Sequence, residues 1–169
     1  MEHQPLVIIG SARKDGNTSH FVDQVFKNIK HKKIYLLDYS IAAYNYENIY
    51  PENDQFDNIL VEMLAFKTII FATPVYWYAM SGLMKILFDR LDDLVTVRKE
   101  IGRAFEGKTT SIIISGTDPE LPDGFETPFK LTSNYMKMEY KHRIYFTEDE
   151  KELGEKKQHE LNLFLSNLP

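Results

Sequence analysis

Short apolar runs rich in β-branched residues alternate along the chain with longer stretches of helical period. The first run, Pro5 to Gly10, is continuous and apolar, as a strand buried on both faces should be. The polar stretch Ser11 to Asn17 follows. From Thr18 the apolar positions Phe21, Val22, Val25, Phe26 and Ile29 fall on one helix face, and the basic run Lys30 to Lys33 suits that helix's negative dipole end. Ile34 to Asp38 predicts a second strand. Tyr39 to Asn53 fits neither period and reads as a long surface excursion carrying Tyr39, Tyr44, Tyr46 and Tyr50. The spacing of Ile59, Leu60, Met63 and Leu64 predicts a helix over 57–66. Lys67 to Thr73 is the third strand, and Pro74 should end it shortly afterwards because proline lacks the ladder donor. A helix is expected over 80–94, a fourth strand over 108–115, a helix over 128–138 and an edge strand over 140–146. A charged helix over 148–168 then buries Leu153, Leu161, Phe164, Leu165 and Leu168.

Five strands alternating with helices predict right-handed crossovers and an α/β fold of three layers, α/β/α. The expected architecture is a doubly wound five-stranded parallel sheet of order 2-1-3-4-5, as one domain over 1–169. Ligands of such sheets sit beyond the carboxyl ends of the strands, near the topological switch point. That rule selects the loops after the first, third and fourth strands.

Composition narrows the chemistry those loops can carry. The chain has 169 residues and no cysteine, which excludes disulfides, thiolate-ligated metals and a thiol nucleophile. A formal net charge of -5 offers nothing to attract nucleic acid or an anionic membrane surface. No apolar run approaches the roughly 18 residues of a membrane helix. The start MEHQPLVIIG lacks the pattern of a secretory signal, so a cytoplasmic location is expected.

The first loop, GSARKDGNT at 10–18, leads a strand into a helix through small and polar residues. Backbone N–H groups and a positive dipole end then face any anion there. Ser11, Asn17 and Thr18 add neutral donors, and Arg13 adds a guanidinium fork for phosphate oxygens. Asp15 should then point to solvent. Neither the Walker A pattern nor GxGxxG is met. The same residues also make a plain turn in which Asn17 or Thr18 caps the helix and Arg13 is solvated.

The third-strand loop places Tyr76, Trp77 and Tyr78 in succession, and three adjacent aromatics cannot all face inward. One exposed ring at the cleft would offer stacking surface; a packed loop or oligomer contact is the other reading. Ser81 is positioned to cap the next helix, with Gly82 permitting close approach. The fourth-strand loop, Ser115-Gly116-Thr117-Asp118-Pro119, can set backbone donors against a planar ligand's edge, or be an ordinary turn. Phosphate cradle, aromatic floor and polar edge together fit flavin mononucleotide (FMN) better than ATP or a dinucleotide.

The segments GSARKDGNT at 10–18 and TPVYWYAMSGLMKILFDRL at 73–91 resemble the NAD(P)H-dependent FMN reductase family of flavodoxin-like flavoproteins, including its iron–sulfur branch. The resemblance implies that Ser11, Arg13, Asn17 and Thr18 hold the FMN phosphate. It implies that Pro74, Val75, Tyr76 and Trp77 border the isoalloxazine ring and that Ser115, Gly116 and Thr117 close its other side. It implies hydride transfer from NAD(P)H through FMN to a small acceptor (a quinone, azo compound, nitro compound or flavin), with no catalytic side chain, and assembly as a homodimer or higher homo-oligomer. The iron–sulfur branch carries cysteines after its second strand, where this chain has Ile41 to Tyr50, so no cluster is held there. Those tyrosines instead line a substrate cleft or a dimer contact. An aromatic such as Tyr76 or Trp77 would shape the acceptor pocket. The alternative class is a non-enzymatic flavodoxin-like electron carrier or an FMN-binding regulatory module; a carrier is usually far more acidic and has no phosphate-loop arginine.

Other polar residues have plainer expectations. Lys85 and Asp89 form a surface pair at i, i+4, and Asp92 and Asp93 are solvated. The histidines His3, His20, His31, His142 and His159 lack metal-ligand spacing, and only His20 falls near the phosphate loop.

Overall fold

In the computed structural model, residues 4–148, 150 and 154–168 are described. His3 and Leu153 lie outside them. The chain runs β1 (Leu6–Ile9), α1 (Asn17–Val25), β2 (Lys32–Tyr35), α2 (Phe56–Ala65), β3 (Thr68–Tyr76) and β4 (Ala79–Met80). Then follow α3 (Gly82–Arg90), α4 (Asp93–Thr96), α5 (Lys99–Arg103), β5 (Thr109–Gly116), α6 (Thr127–Tyr135), β6 (Glu139–Thr147) and α7 (Glu155–Ser166). The sheet order is β2-β1-β3-β5-β6, all parallel, with β4 added antiparallel to β3. Counting the parallel strands alone, this is the expected 2-1-3-4-5.

The continuous apolar runs divide by pleat into two cores. Leu6, Ile8, Ile69, Phe71, Ile112 and Ile114 face α2, α3 and α6, whereas Val7, Ile9, Ile70, Ala72, Ile113 and Phe146 face α1 and α7. Both faces of the central strands are covered, so burying every residue of each run is favourable. Leu161 and Phe164 are buried on α7, with Leu165 and Leu168 packed at the edge. Among the described residues, no helix is long and apolar enough to cross a membrane.

Three expectations are corrected. The second strand is earlier, with Lys32 paired to Leu6, and 36–38 forms a single 3₁₀ turn. The third strand does not stop near Thr73: Pro74 still pairs with Ser115, and the chain turns back only after Tyr76. A proline is tolerated because the parallel ladder ends there. The helix expected over 80–94 ends at Arg90, where the chain tightens into i→i+3 turns (Asp92 N–H to Asp89, Leu94 N–H to Leu91) before α4, and a buried charge cluster sits at that junction.

Arg90 is 2 % exposed and Asp93 1 %, so Asp93 is buried rather than solvated. The Arg90 Nε donates to Asp93 at 3.0 Å, and its Nη1 donates to both oxygens of Asp54 and to the Ala42 carbonyl. The guanidinium lies 3.4 Å from the Tyr50 ring centroid and 4.4 Å from that of Phe56. Tyr50 donates to Asp93 at 2.9 Å, and Asp54 accepts from the Ala42 N–H. A buried cation thus ties the irregular segment 39–54 to the end of α3. Lys85–Asp89 is the expected surface pair, at 2.5 Å.

Candidate functional site

The carboxyl ends of β1, β3 and β5 open into a cleft of about 260 Å³. Ser11, Arg13, Asn17 and Thr18 line it from the first loop; Pro74, Val75 and Tyr76 from the end of β3; Ser115, Gly116 and Thr117 from the end of β5. Ten of the eleven residues singled out in the sequence therefore meet in one place. Trp77 is not among the lining residues; it sits at the tip of the β3–β4 hairpin, 92 % exposed. Larger hollows exist, but the one of about 540 Å³ lies between α3–α4 and α6, lined by Tyr44 from the irregular segment and Tyr135 from α6, and it contains no residue of the three loops.

The first loop leaves the start of α1 without a side-chain cap. Neither Asn17 nor Thr18 serves as that cap; both line the cleft, and the Ser19 N–H turns back to the Gly16 carbonyl, at 3.0 Å. Arg13 folds across the N-cap glycine: a methyl group on Gly16 would sit 2.8 Å from the Arg13 Nε. The guanidinium is thereby held at the helix mouth, while Asp15 is exposed. Among the described residues, no carboxylate forms an ion pair with Arg13, whereas Lys14 is engaged with Asp38 at 2.6 Å. The Thr18 and Ser115 hydroxyls meet at 2.7 Å, both buried. Two hydroxyl protons serve one mutual bond, which leaves one proton for a ligand.

Ser81 fastens the floor. Its hydroxyl donates to the Gly10 carbonyl and accepts from Met84 N–H at 3.2 Å, while its own N–H donates to Thr73 Oγ1 at 3.1 Å. It is the expected cap of α3, and it also ties the end of β1 to the end of β3. Gly82 is not a close-approach glycine, since a Cβ there would meet nothing within 4 Å.

The polar edge is held by a residue the sequence reading passed over. Tyr145 donates to the Asp118 carbonyl at 2.6 Å, and a Cβ on Gly116 would lie 2.5 Å from the Tyr145 oxygen. Glu148, read as the start of a helix, instead stands at the cleft rim with its N–H on the Gly116 carbonyl at 3.1 Å. His20 is exposed on α1 and does not line the cleft. Among the described residues, no group of His, Asp and Glu side chains could hold a metal ion.

Gly116→Ala is expected to overpack this corner, costing about 1–2 kcal/mol and displacing the loop from the cleft. Urea denaturation of Gly116→Ala and of Gly116→Ala with Tyr145→Phe checks it: losing the hydroxyl should recover part of the deficit.

Burial pushes the Tyr145 hydroxyl above its ordinary value, helped by the charges of Asp118 and Glu150; burial and the neighbouring Glu126 push Tyr140 up further. A phenol raised in the folded chain contributes stability below pH ~10 that is lost as pH rises through the folded value. Burial lowers Lys108, which acts with the opposite sign in a window below pH ~10.5. Phenolate absorbance should therefore show Tyr140 and Tyr145 ionising at higher pH than an exposed tyrosine.

The sequence profile of a family described as NADPH-dependent FMN reductase matches residues 5–121. Over 89 residues the chain is 34 % identical to YwqN of Bacillus subtilis (strain 168), which carries the provisional name NAD(P)H-dependent FMN-containing oxidoreductase; the match covers 50 % of this chain and 49 % of that protein. The aligned part thus spans about half the length of that relative. Among solved structures, the Trp repressor binding protein of B. subtilis superposes with a TM-score of 0.70 at 22 % identity, covering 97 % of this chain and 96 % of that one. An FMN-dependent NADH-azoreductase of Bacillus anthracis in complex with FMN gives a TM-score of 0.63 at 11 % identity, with 97 % of each chain covered. At these identities the superpositions speak for a shared fold.

Proposed function

The chain belongs to the NADPH-dependent FMN reductase family, and from that premise we propose that it is an FMN-dependent NAD(P)H oxidoreductase whose cofactor occupies the β1–β3–β5 cleft. The observation that carries this reading is the uncapped N-terminus of α1 with Arg13 folded over it, opposite a hydroxyl pair with a proton to spare. That set suits a phosphate monoester. Arg13 and the first-turn amides of α1 hold the phosphate, assisted by Ser11, Asn17 and the Thr18–Ser115 pair. Pro74, Val75 and Tyr76 border the ring on one side, and Ser115, Gly116 and Thr117 approach it on the other.

Bound FMN supplies two-electron chemistry, so that NAD(P)H, a proton and an oxidised acceptor give NAD(P)⁺ and the acceptor carrying two more hydrogens. No side chain need act as nucleophile or base. The protein orients: Ser81 and Tyr145 fix the two loops that flank the ring, and neutral donors on the 115–117 loop favour negative charge at the edge they face. The acceptor is a small quinone, azo, nitro or flavin compound, and assembly as a homodimer belongs to the same proposal.

Titration of the purified chain with FMN, followed by anaerobic addition of NADPH or NADH, tests the reading. A yellow complex that bleaches with nicotinamide alone is expected. No binding at micromolar FMN would sink it, and bleaching only in the presence of a partner reductase would make the chain a carrier.

A further inference from the structure

Tyr76, Trp77, Tyr78 and Ala79 form a two-residue hairpin in which Trp77 has φ 48° and Tyr78 φ 65°. Two consecutive positive φ angles define a type I′ turn, whose usual occupants are Asn and Gly. Bulky aromatic residues in this region are outliers that persist only when something compensates their cost. Packing within the chain does not compensate it: Trp77 is 92 % exposed and Tyr78 69 %, and Tyr76 beside them is 49 % exposed while lining the cleft. The turn therefore holds large rings out in water, in a strained backbone, at the mouth of the candidate cofactor site. From Thr73 to Ser81 there is no Asp, Glu, Lys or Arg, so what these rings recognise is flat and uncharged rather than ionic.

We propose that the Trp77–Tyr78 tip is the stacking platform for the planar ring of the redox partner, setting affinity for that partner and not for the flavin. This rests on the oxidoreductase reading above. Strain is the signature: a tip kept for recognition should become more stable, and less able to bind, when given the residues the turn prefers.

The variant Trp77→Asn with Tyr78→Gly makes that exchange. Its melting temperature should rise by roughly 3–6 °C, with FMN affinity within twofold of the parent. In the FMN-loaded protein, KM for 2-methyl-1,4-naphthoquinone or for NADPH should rise at least tenfold with kcat little changed. Separate stopped-flow measurements of reduction by NADPH and reoxidation by the naphthoquinone identify which ring the platform serves. Trp77 is the one tryptophan in the sequence, so its fluorescence in the loaded parent should also be quenched saturably by the partner that the variant binds poorly. A lower melting temperature, or both KM values unchanged, overturns the proposal. So does a change in sedimentation mass with unchanged KM values, which would make the tip a contact between copies. Failure of the parent to bind FMN would instead remove the function reading first.

Discussion

Arg90→Ala is expected to cost about 3–5 kcal/mol of folding stability, because it leaves buried carboxylates without their cation. Asp93 is 1 % exposed, and the Asp54 side chain 10 %. Each gives up hydration for hydrogen bonds to one guanidinium, and Tyr50 adds a donor to Asp93. Removing Arg90 also empties the space between the Tyr50 and Phe56 rings. Lysine would not rescue it, since one ammonium cannot reproduce a planar fork that bonds two carboxylates and a carbonyl while stacking on rings. Urea denaturation measures the loss. Hydrogen exchange should locate it, with protection falling first over 39–54, the segment anchored through Ala42, Tyr50 and Asp54. Adding Asp54→Ala and Asp93→Ala to Arg90→Ala should cost far less than the sum of the three singles, because no charge is then left stranded. Additive losses would contradict the network.

This cluster marks where reading the chain alone runs out. The central parallel strands were legible because a strand covered on both faces tolerates no charge: 6–9 is wholly apolar, and 68–73 and 109–115 hold only apolar residues, Thr and Ser. That ten of the eleven singled-out residues share one cleft was legible because strand order dictates which loops share an edge. Arg90 and Asp93 were not. In sequence they sit three apart on a helix beside Lys85 and Asp89, which do form an ordinary surface pair; what separates the two pairs is Asp54, brought alongside by a segment of no regular period. Tyr145 was invisible as a loop support for the same reason, its partner being a carbonyl on another strand's loop. The Trp77–Tyr78 turn was missed because its sequence contradicts its conformation: no Asn or Gly announces two positive φ angles. In each case a long-range contact or a stored strain overrode the local signal.

Arg13→Ala should weaken FMN by about 1.5–3 kcal/mol, some 10- to 150-fold, the range for hydrogen bonds to a charged group. Arg13 is exposed and without an ion pair among the described residues, so truncation leaves no buried charge behind, and stability of the unliganded chain should hardly change. The discriminating ligand is riboflavin, which keeps the ring and lacks the phosphate. Fluorescence titrations should find riboflavin bound equally by parent and variant, so that the parent's preference for FMN shrinks by the whole Arg13 contribution. Rising ionic strength should weaken the parent's FMN binding more steeply than the variant's, since the lost contact is ionic and solvent-facing. Equal weakening of FMN and riboflavin would mean that Arg13 shapes the loop rather than grips the phosphate, leaving the α1 amides and the Thr18–Ser115 hydroxyls as the anion site. Unchanged FMN affinity would take the guanidinium out of the site, and with it the meaning of its fold across Gly16.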